Sequence, residues 1–296
     1  MFYLTLVLII FICLVIATIA YRQGYISKTG VSRGRRDEHR EAIHYDFTTL
    51  DEVQRELERA GLESSQLIIG IDYTKSNKYN GRHTFGGKCL HSIDPNGKVL
   101  NPYQLVVRAI GRTLEHFDDD HVIPTFGFGD SRTTNKEVFP FGGVHGKRAP
   151  VGVYEVLARY NEITPKLTLS GPTNFAPLIK AAVRIVRDSK AFHILLIIAD
   201  GQVTDERKTI RAIVGASKYP LSIVMVGVGD GPWDMMKDFD DKIPSRAFDN
   251  FQFVNFHDIM NDVSKGEEQK AEAQFAIEAL GEIPSQFKAI RKLDLL

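Results

Sequence analysis

The chain has 296 residues, of which 43% are hydrophobic and 25% are charged, as expected for a folded globular protein rather than a disordered one. Its 37 basic side chains balance its 37 acidic ones, and no basic stripe interleaved with aromatic residues occurs, which argues against nucleic acid as a partner. Two cysteines are too few for a disulfide framework or a sulfur-rich zinc module, and they indicate a reducing compartment.

The amino-terminal residues are the most apolar part of the sequence. Residues 2–21 contain no charged side chain, and as a helix they would span roughly 30 Å, the thickness of a bilayer core. A transmembrane signal anchor over 1–21 is therefore predicted. A cleaved signal peptide is the alternative, although a basic start is missing and the apolar run is longer than usual. Residues 22–44 are basic and glycine-containing, which predicts a juxtamembrane linker, with the large domain 45–296 on the cytosolic side of the membrane.

Helical and strand patterns alternate after the linker. Thr48 or Thr49 can cap a first helix that ends at Gly61. The alternation predicts an α/β fold with a mostly parallel central sheet and helices on both faces, preceded by one transmembrane helix. Further helices are predicted at about 102–114, 151–160, 175–188, 205–217 and 259–280, the last interrupted at Gly266, and strands at about 67–72, 122–130, 193–200, 221–228 and 251–254.

Oxygen-bearing side chains follow two of the predicted strands and precede one helix. Three of them come at alternate positions after the first strand, where every second side chain points the same way. Ligands bind at the carboxyl ends of the strands in open parallel sheets, and hydroxyl and carboxylate oxygens suit a small hard cation. The sequence therefore predicts a divalent-metal site formed by Asp72, Thr74, Ser76, Thr173 and Asp200.

Each part of this site also has a purely structural interpretation. Thr173 could cap the helix that follows it, and Asp200 with Gly201 could form only a strand-to-helix turn. Asp130 and Asp230 follow Gly-x-Gly sequences and are predicted to form turns rather than to bind metal. His193 precedes a core strand and is predicted to be a structural histidine.

Enzyme motifs are missing from the same region. Thr74 stands where phosphatases of the aspartyl-phosphate type place a second aspartate, so Asp72 is not expected to act as a nucleophile. The glycine turns at 127–129 and 227–229 lack the third glycine of a dinucleotide fingerprint, and no Gly-x-Ser-x-Gly sequence occurs. These observations favour a binding module over an enzyme.

The predicted site resembles the metal-ion-dependent adhesion site of von Willebrand factor A domains, with Thr74 where such sites usually have serine. Over about 45–290 the chain is similar to the copine domain, and within that group to the copine-like region of plant RING-domain ubiquitin ligases. The resemblance implies a von Willebrand factor A-like fold and a partner protein that offers an acidic side chain to a bound cation, with Mg²⁺ expected first and Mn²⁺ or Ca²⁺ as alternatives. The matching segments are 70–72, 126–130, 169–173, 198–204, 219–223 and 226–230, with 231–233, 239–241 and 248–256 typical of the ligases.

The chain also departs from both groups. Copines carry two calcium- and phospholipid-binding modules ahead of this domain, where this sequence has its apolar segment and linker. The ligases carry a RING, whose zinc needs more cysteine and histidine ligands than the two cysteines here can supply. The prediction is therefore a membrane-anchored module that binds partner proteins through a metal ion. The alternatives are a component or adaptor of ubiquitin transfer and a scaffold whose metal site is vestigial.

Overall fold

The computed structural model describes residues 48–142, 148–261 and 267–296, all within the unit Asp46–Leu296. The strands are β1 (Gln66–Asp72), β2 (Thr125–Phe128), β3 (Phe139–Pro140), β4 (His193–Ala199), β5 (Leu221–Gly227) and β6 (Phe251–Asn255). The helices are α1 (Leu50–Ala60), α2 (Pro102–Leu114), α3 (Gly152–Ile163), α4 (Ala176–Ser189), α5 (Glu206–Ala216), α6 (Asp234–Lys242), α7 (Phe256–Asn261), α8 (Glu268–Leu280) and α9 (Ile283–Lys292).

The described strands form one sheet in the order β3-β2-β1-β4-β5-β6. Every pairing is parallel except that of β2 with the two-residue edge strand β3. The predicted mostly parallel sheet is confirmed, and the expected strands lie within a few residues of their predicted positions. The antiparallel edge strand was not predicted, because two residues ending in a proline carry no strand pattern.

The sheet is buried on both faces. All seven residues of β4 are buried, and its alternate side chains Leu195, Ile197 and Ala199 belong to a core that α4, α5 and α6 cover. The intervening residues must point to the opposite face, where α2 contacts β1 and α8 contacts β5 and β6. This double coverage explains why the strand sequences are continuous apolar runs rather than alternating ones.

The first helix begins and ends as its sequence predicts. Thr49 is its N-cap and forms a capping box with Glu52, and Gly61 closes it in the left-handed conformation at φ 102°. At the other end of the chain, the described part of the predicted helix 259–280 is divided between α7 and α8, and Gly266 lies outside the described residues. Helices α6 and α9 were not predicted.

The predicted single-pass membrane location is contradicted. Within the three described ranges, no helix is both long enough and apolar enough to cross a bilayer. The longest described helix, α4, has 14 residues, which corresponds to about 21 Å at the helical rise, less than a bilayer core. The stretch 2–21 on which the prediction depended lies outside the described residues, as does the predicted linker 22–44, and the division at 45 stays a prediction.

Candidate metal site

The predicted site lies where the sheet changes its direction of winding. Strand β1 pairs with β2 on one side and with β4 on the other, so the connections that leave β1 and β4 run to opposite sides. Such a switch point opens a crevice at the carboxyl ends of the two strands, and small ligands bind there in open α/β sheets. Asp72 ends β1, and Asp200 directly follows β4.

A continuous chain of hydrogen bonds joins four of the five predicted residues. The Thr74 amide donates to Asp72 Oδ1 at 2.7 Å, and the hydroxyl oxygens of Thr74 and Ser76 are 2.9 Å apart. The Ser76 hydroxyl donates to Asp200 Oδ1 at 2.9 Å. Because Ser76 uses its proton on that carboxylate, the Thr74 hydroxyl must be the donor to Ser76.

The two aspartates are buried, and each has an oxygen without a partner. Asp72 is fully buried and Asp200 is 1% exposed, yet the Oδ2 atom of each accepts no hydrogen bond from the described residues. Burial raises the pKa of Asp72 well above its usual range, and the nearby Asp200 carboxyl raises it further. Burial likewise raises the pKa of Asp200 to about 7. Orphaned buried carboxylate oxygens are costly, and a bound cation would satisfy them, so these residues fit a metal ion.

Thr173 is held beside this cluster through its main chain. Its carbonyl accepts from the Thr204 amide at 2.9 Å, and the preceding Ser170 carbonyl accepts from Lys75 at 2.7 Å. The Thr173 hydroxyl makes no hydrogen bond to the described residues. Thr173 is not the cap of α4, because that helix starts at Ala176 and its amide is bonded by Asn174 Oδ1 at 3.1 Å. The structure therefore ties the loop of Thr173 to both other loops, without a side-chain hydrogen bond to the four linked residues.

Two buried residues that the sequence did not single out hold the β1 loop in place. Asn77 donates to the main-chain carbonyls of Asp72 and Thr74, and His91 contacts the Asp72 carbonyl at 2.8 Å. The His91 ring is stacked between Tyr73 and Tyr103, with centroid distances of 4.6 and 4.1 Å. Both residues come from a loop without hydrophobic periodicity, so no single-sequence pattern could have found them.

The contacts of His91 fix its tautomer. The carbonyl oxygen of Asp72 can only accept, so His91 Nε2 donates, and Nδ1 must then accept from the Tyr160 hydroxyl 2.7 Å away. Tyr160 in turn accepts from Asn101 Nδ2 at 3.1 Å. Burial lowers the pKa of His91 to about 3, so the imidazole is neutral at physiological pH. This arrangement anchors the backbone that carries the first three predicted oxygen donors.

A second set of contacts joins the β1 loop to the loops after β4 and β5. Asn80 Nδ2 donates to the Asp200 carbonyl at 2.9 Å, and its own carbonyl accepts from the Asp230 amide at 2.7 Å. The Asp230 carboxylate accepts from the amides of His83 and Thr84 and from the Thr84 hydroxyl. Asp230 therefore fastens a loop rather than facing the metal site.

The other residues that were predicted to be structural have structural contacts. Asp130 accepts from the amide of Thr133 at 2.9 Å and forms a turn. His193 is 4% exposed, and its Nδ1 lies 2.9 Å from the Ala191 carbonyl. Neither joins the hydrogen-bonded chain around Asp200.

Glycines are required where neighbouring loops approach the site. Gly129 has φ +82°, and a side-chain Cβ there would lie 2.5 Å from Thr74 Cγ2. Gly229 has φ +92°, and a Cβ there would lie 2.5 Å from the Asn80 carbonyl oxygen. Both the left-handed backbone and the close approach exclude larger residues. The two Gly-x-Gly sequences therefore serve close packing around the site.

The described residues contain no group of three or more His, Cys, Asp and Glu side chains that could hold a metal ion. The candidate site instead combines two carboxylates with hydroxyl oxygens. A hard cation such as Mg²⁺ accepts a ligand set of this kind, since it binds oxygen and retains several water molecules. Softer metals that prefer thiolate and imidazole are disfavoured.

The chain is similar in sequence to plant ubiquitin ligases and to copine family proteins. It is 53% identical over 268 residues to E3 ubiquitin-protein ligase RGLG2 of Arabidopsis thaliana, covering 86% of this chain and 56% of the relative. It is 51% identical over 251 residues to Copine family protein 2 of Caenorhabditis elegans, covering 84% of this chain and 3% of the relative. The chain therefore spans about half of the first relative and a small part of the second.

Similar solved structures are more distant. Manganese-loaded TRAP protein of Plasmodium vivax aligns with a TM-score of 0.43 and 12% identity, covering 66% of this chain and 69% of that one. Proximal thread matrix protein 1 from the mussel byssus, with a zinc-occupied MIDAS motif, aligns with a TM-score of 0.42 and 14% identity, covering 71% of this chain and 46% of that one.

The assignment to a family depends on a match that covers most of the chain. The copine family model matches residues 89–296, more than half of the chain. The matched region includes Thr173 and Asp200 and begins within the loop that follows Asp72, after Ser76. Together with relatives at about 50% identity, this match establishes that the chain belongs to the copine family.

Proposed function

We propose that this copine-family domain binds partner proteins through a divalent cation held by Asp72, Thr74, Ser76, Thr173 and Asp200. One observation supports the proposal above the others. Two neighbouring buried carboxylates, each with an unpartnered oxygen, are linked through the amide and hydroxyl of Thr74 and the hydroxyl of Ser76. An arrangement of two mutually repelling carboxylates is costly in the folded protein unless a positive charge compensates it.

The five proposed ligands are of two kinds, charged carboxylates and neutral hydroxyl groups. Asp72 and Asp200 supply the negative charge, either directly or through water, whereas the hydroxyl oxygens of Thr74, Ser76 and Thr173 supply neutral ligands. When bound, a divalent cation supplies positive charge and a coordination position that a carboxylate of a partner can fill. Mg²⁺ is the expected ion, and Mn²⁺ and Ca²⁺ are the alternatives. Binding, rather than catalysis, is the expected outcome.

Isothermal titration with MgCl₂ tests the metal half of this proposal. The 296-residue chain should bind one equivalent, and Asp72→Asn should lower the affinity at least about tenfold, because the variant removes one of two charges from the site. Asp118→Asn is a matched control, because Asp118 is also buried, has an unpartnered oxygen and has a pKa raised to about 6 by burial. It lies near the amino-terminal ends of β1 and β2, whereas the proposed site lies at the carboxyl ends of the strands. Equal binding by all three proteins would refute the proposed site.

A role in ubiquitin transfer is the second candidate, and relatives at 53% identity that are E3 ubiquitin-protein ligases favour it. The chain spans 56% and 64% of those two relatives, and its two cysteines cannot provide the zinc ligands of a RING. Within this sequence the candidate is therefore an adaptor that holds a substrate. Reconstituted ubiquitin transfer with and without the chain separates it from a binding module with no link to ubiquitin.

A further inference from the structure

The loop that follows β1 is unusually basic for a protein of zero net charge. Between Asp72 and Asp94 the sequence contains no aspartate or glutamate, yet it contains four permanently charged cations. All four side chains are exposed. We call this set the cationic loop, and its members are Lys75, Lys78, Arg82 and Lys88.

The cationic loop lacks ion pairs with the part of the chain that the structure describes. None of its four side chains forms an ion pair with the described residues, although many other basic side chains do, such as Lys208 with Asp205 at 2.6 Å and Arg246 with Asp249 at 2.7 Å. Backbone hydrogen bonds lower the pKa of Asp94, and the charge of Lys88 lowers it further, so Lys88 has an acidic neighbour. The carboxylate of Asp230 is occupied by hydrogen bonds from the loop backbone. The charges of Lys75, Lys78 and Arg82 therefore face solvent.

The cationic loop begins at the candidate metal site. Lys75 lies between Thr74 and Ser76 in the sequence, and the 3₁₀ turn Lys75–Lys78 contains Ser76. Its next residue, Tyr79, is 62% exposed. An exposed aromatic side chain among cations is typical of a protein contact surface, where tyrosine gives much contact area at low entropic cost.

We propose that the cationic loop is the docking surface for an acidic peptide segment of a partner protein. The inference rests on the proposed function: one carboxylate of the segment completes the shell of the metal ion, and flanking carboxylates pair with the loop cations. In this arrangement, Tyr79 packs against the methylene groups of the acidic side chains in the same segment. Such complementarity raises the association rate and selects against neutral or basic partners.

Burial of the site favours a peptide over a membrane surface. Asp72 and Asp200 are at most 1% exposed, so a ligand must reach inward past the loop. A carboxylate on a flexible glutamate or aspartate side chain can do so, whereas the headgroups of a lipid bilayer form an extended surface that does not enter a narrow recess. Anionic vesicles are therefore the comparison ligand in the test.

Fluorescence anisotropy with labelled octaglutamate tests the inference, with octaglutamine as the neutral probe. In Mg²⁺ at low salt, the 296-residue chain should prefer octaglutamate at least about tenfold, and 0.5 M NaCl should remove most of the preference by screening. Reversing three loop charges (Lys78→Glu, Arg82→Glu, Lys88→Glu) should weaken octaglutamate binding about tenfold or more. These three residues are not proposed ligands, so Mg²⁺ binding should persist.

A matched variant controls for net charge. Arg187, Lys218 and Lys288 are exposed and lie on or beside helices away from the β1 loop, and their reversal to glutamate should change octaglutamate binding less than about twofold. Retained Mg²⁺ binding with equal octaglutamate binding by both triple variants would overturn the inference alone. Loop-dependent octaglutamate binding without any Mg²⁺ binding would support the docking surface and contradict the proposed function. Binding to phosphatidylserine vesicles but not to octaglutamate would overturn the peptide assignment.

Discussion

Asp200→Asn is expected to stabilise the protein in chelator and to abolish its stabilisation by magnesium. Without metal, the wild-type protein holds two carboxyl groups in a buried site, each with an unpartnered oxygen. The asparagine keeps the oxygen that accepts from Ser76 and removes one charge. We expect a gain of about 2 kcal/mol in the free energy of unfolding at pH 8 in EDTA.

The pH dependence of the free energy of unfolding tests the same prediction in a second way. Because the pKa of Asp200 rises from 3.8 to about 7, the folded protein binds more protons than the unfolded chain between these values. The wild-type free energy of unfolding in EDTA should therefore fall as the pH rises from 4 to 7, by about 2 to 4 kcal/mol. Urea unfolding across this range should give a flatter profile for Asp200→Asn.

Magnesium should make the wild type more stable to unfolding than Asp200→Asn, the reverse of their order in EDTA. At a concentration one hundred times its dissociation constant, a ligand specific for the folded state adds about 2.7 kcal/mol to the wild type and nothing to a variant that does not bind it. Asp118→Asn is again the control, because it removes a buried carboxylate and should keep the full effect of magnesium. An Asp200→Asn protein that magnesium stabilises as much as the wild type would contradict the assignment of Asp200.

His91→Phe is expected to weaken both the fold and the metal site. The phenyl ring can keep the stacking between Tyr73 and Tyr103, but the Tyr160 hydroxyl and the Asp72 carbonyl each lose a hydrogen bond. We expect a loss of about 2 kcal/mol in the free energy of unfolding, since both groups are buried and retain other partners. Affinity for Mg²⁺ should fall about tenfold, the size of effect seen when residues that orient metal ligands are removed.

Measurements at lower pH separate the loss of the His91 hydrogen bonds from a general loss of packing. The pKa of His91 is lowered from 6.5 to about 3, so below pH 6.5 the unfolded chain takes up a proton that the folded protein does not. The wild type loses this contribution to stability on acidification and the variant never has it. The gap between them in urea unfolding should therefore narrow from pH 7 to pH 5. A constant gap, or unchanged Mg²⁺ affinity, would show that His91 only fills space.

Tyr160→Phe is the matched variant for His91. It removes the partner of His91 Nδ1 and leaves the bond from Nε2 to the Asp72 carbonyl in place. Its effect on Mg²⁺ affinity should therefore be smaller than that of His91→Phe. The comparison assigns the effect to the bond that reaches Asp72.

The sheet and the oxygen cluster were predictable because each follows from local chemistry. A run such as Ile194 to Ile198 can only be stable when it is buried on both faces, and the end of such a strand in a parallel sheet is a ligand site. Asp72, Thr74 and Ser76 follow the first run with the right alternation. The structure brings them together with Asp200, 124 positions beyond Ser76, through one hydrogen bond.

The support of the site was not predictable in the same way. His91 and Asn77 lie in a loop rich in glycine and polar residues, and their roles depend on contacts with Tyr160 and Tyr103 from two different helices. No spacing in the sequence encodes those contacts. Thr173 shows the opposite problem, because a threonine before a helix resembles a cap although α4 begins three residues later.

The missed elements have weak local signals. Helix α6 is largely charged, and only Met236 and Phe239 on it are buried among the apolar residues, too few to define a helical period. Strand β3 has two residues and pairs at the edge with Phe126 and Gly127. The predicted membrane location was wrong for another reason. It was inferred from an uncharged run and the basic residues after it, whereas no helix of the described residues is long and apolar enough to cross a bilayer.

Anomalous diffraction from crystals grown with Mn²⁺ tests the central claim most directly, because the ion itself is located. The predicted result is a single strong peak at the carboxyl ends of β1 and β4, within coordination distance of oxygen atoms from the five proposed residues. No peak there, or a peak only elsewhere, such as beside the acidic residues 118–120, would contradict the account. The five residues are Asp72, Thr74, Ser76, Thr173 and Asp200.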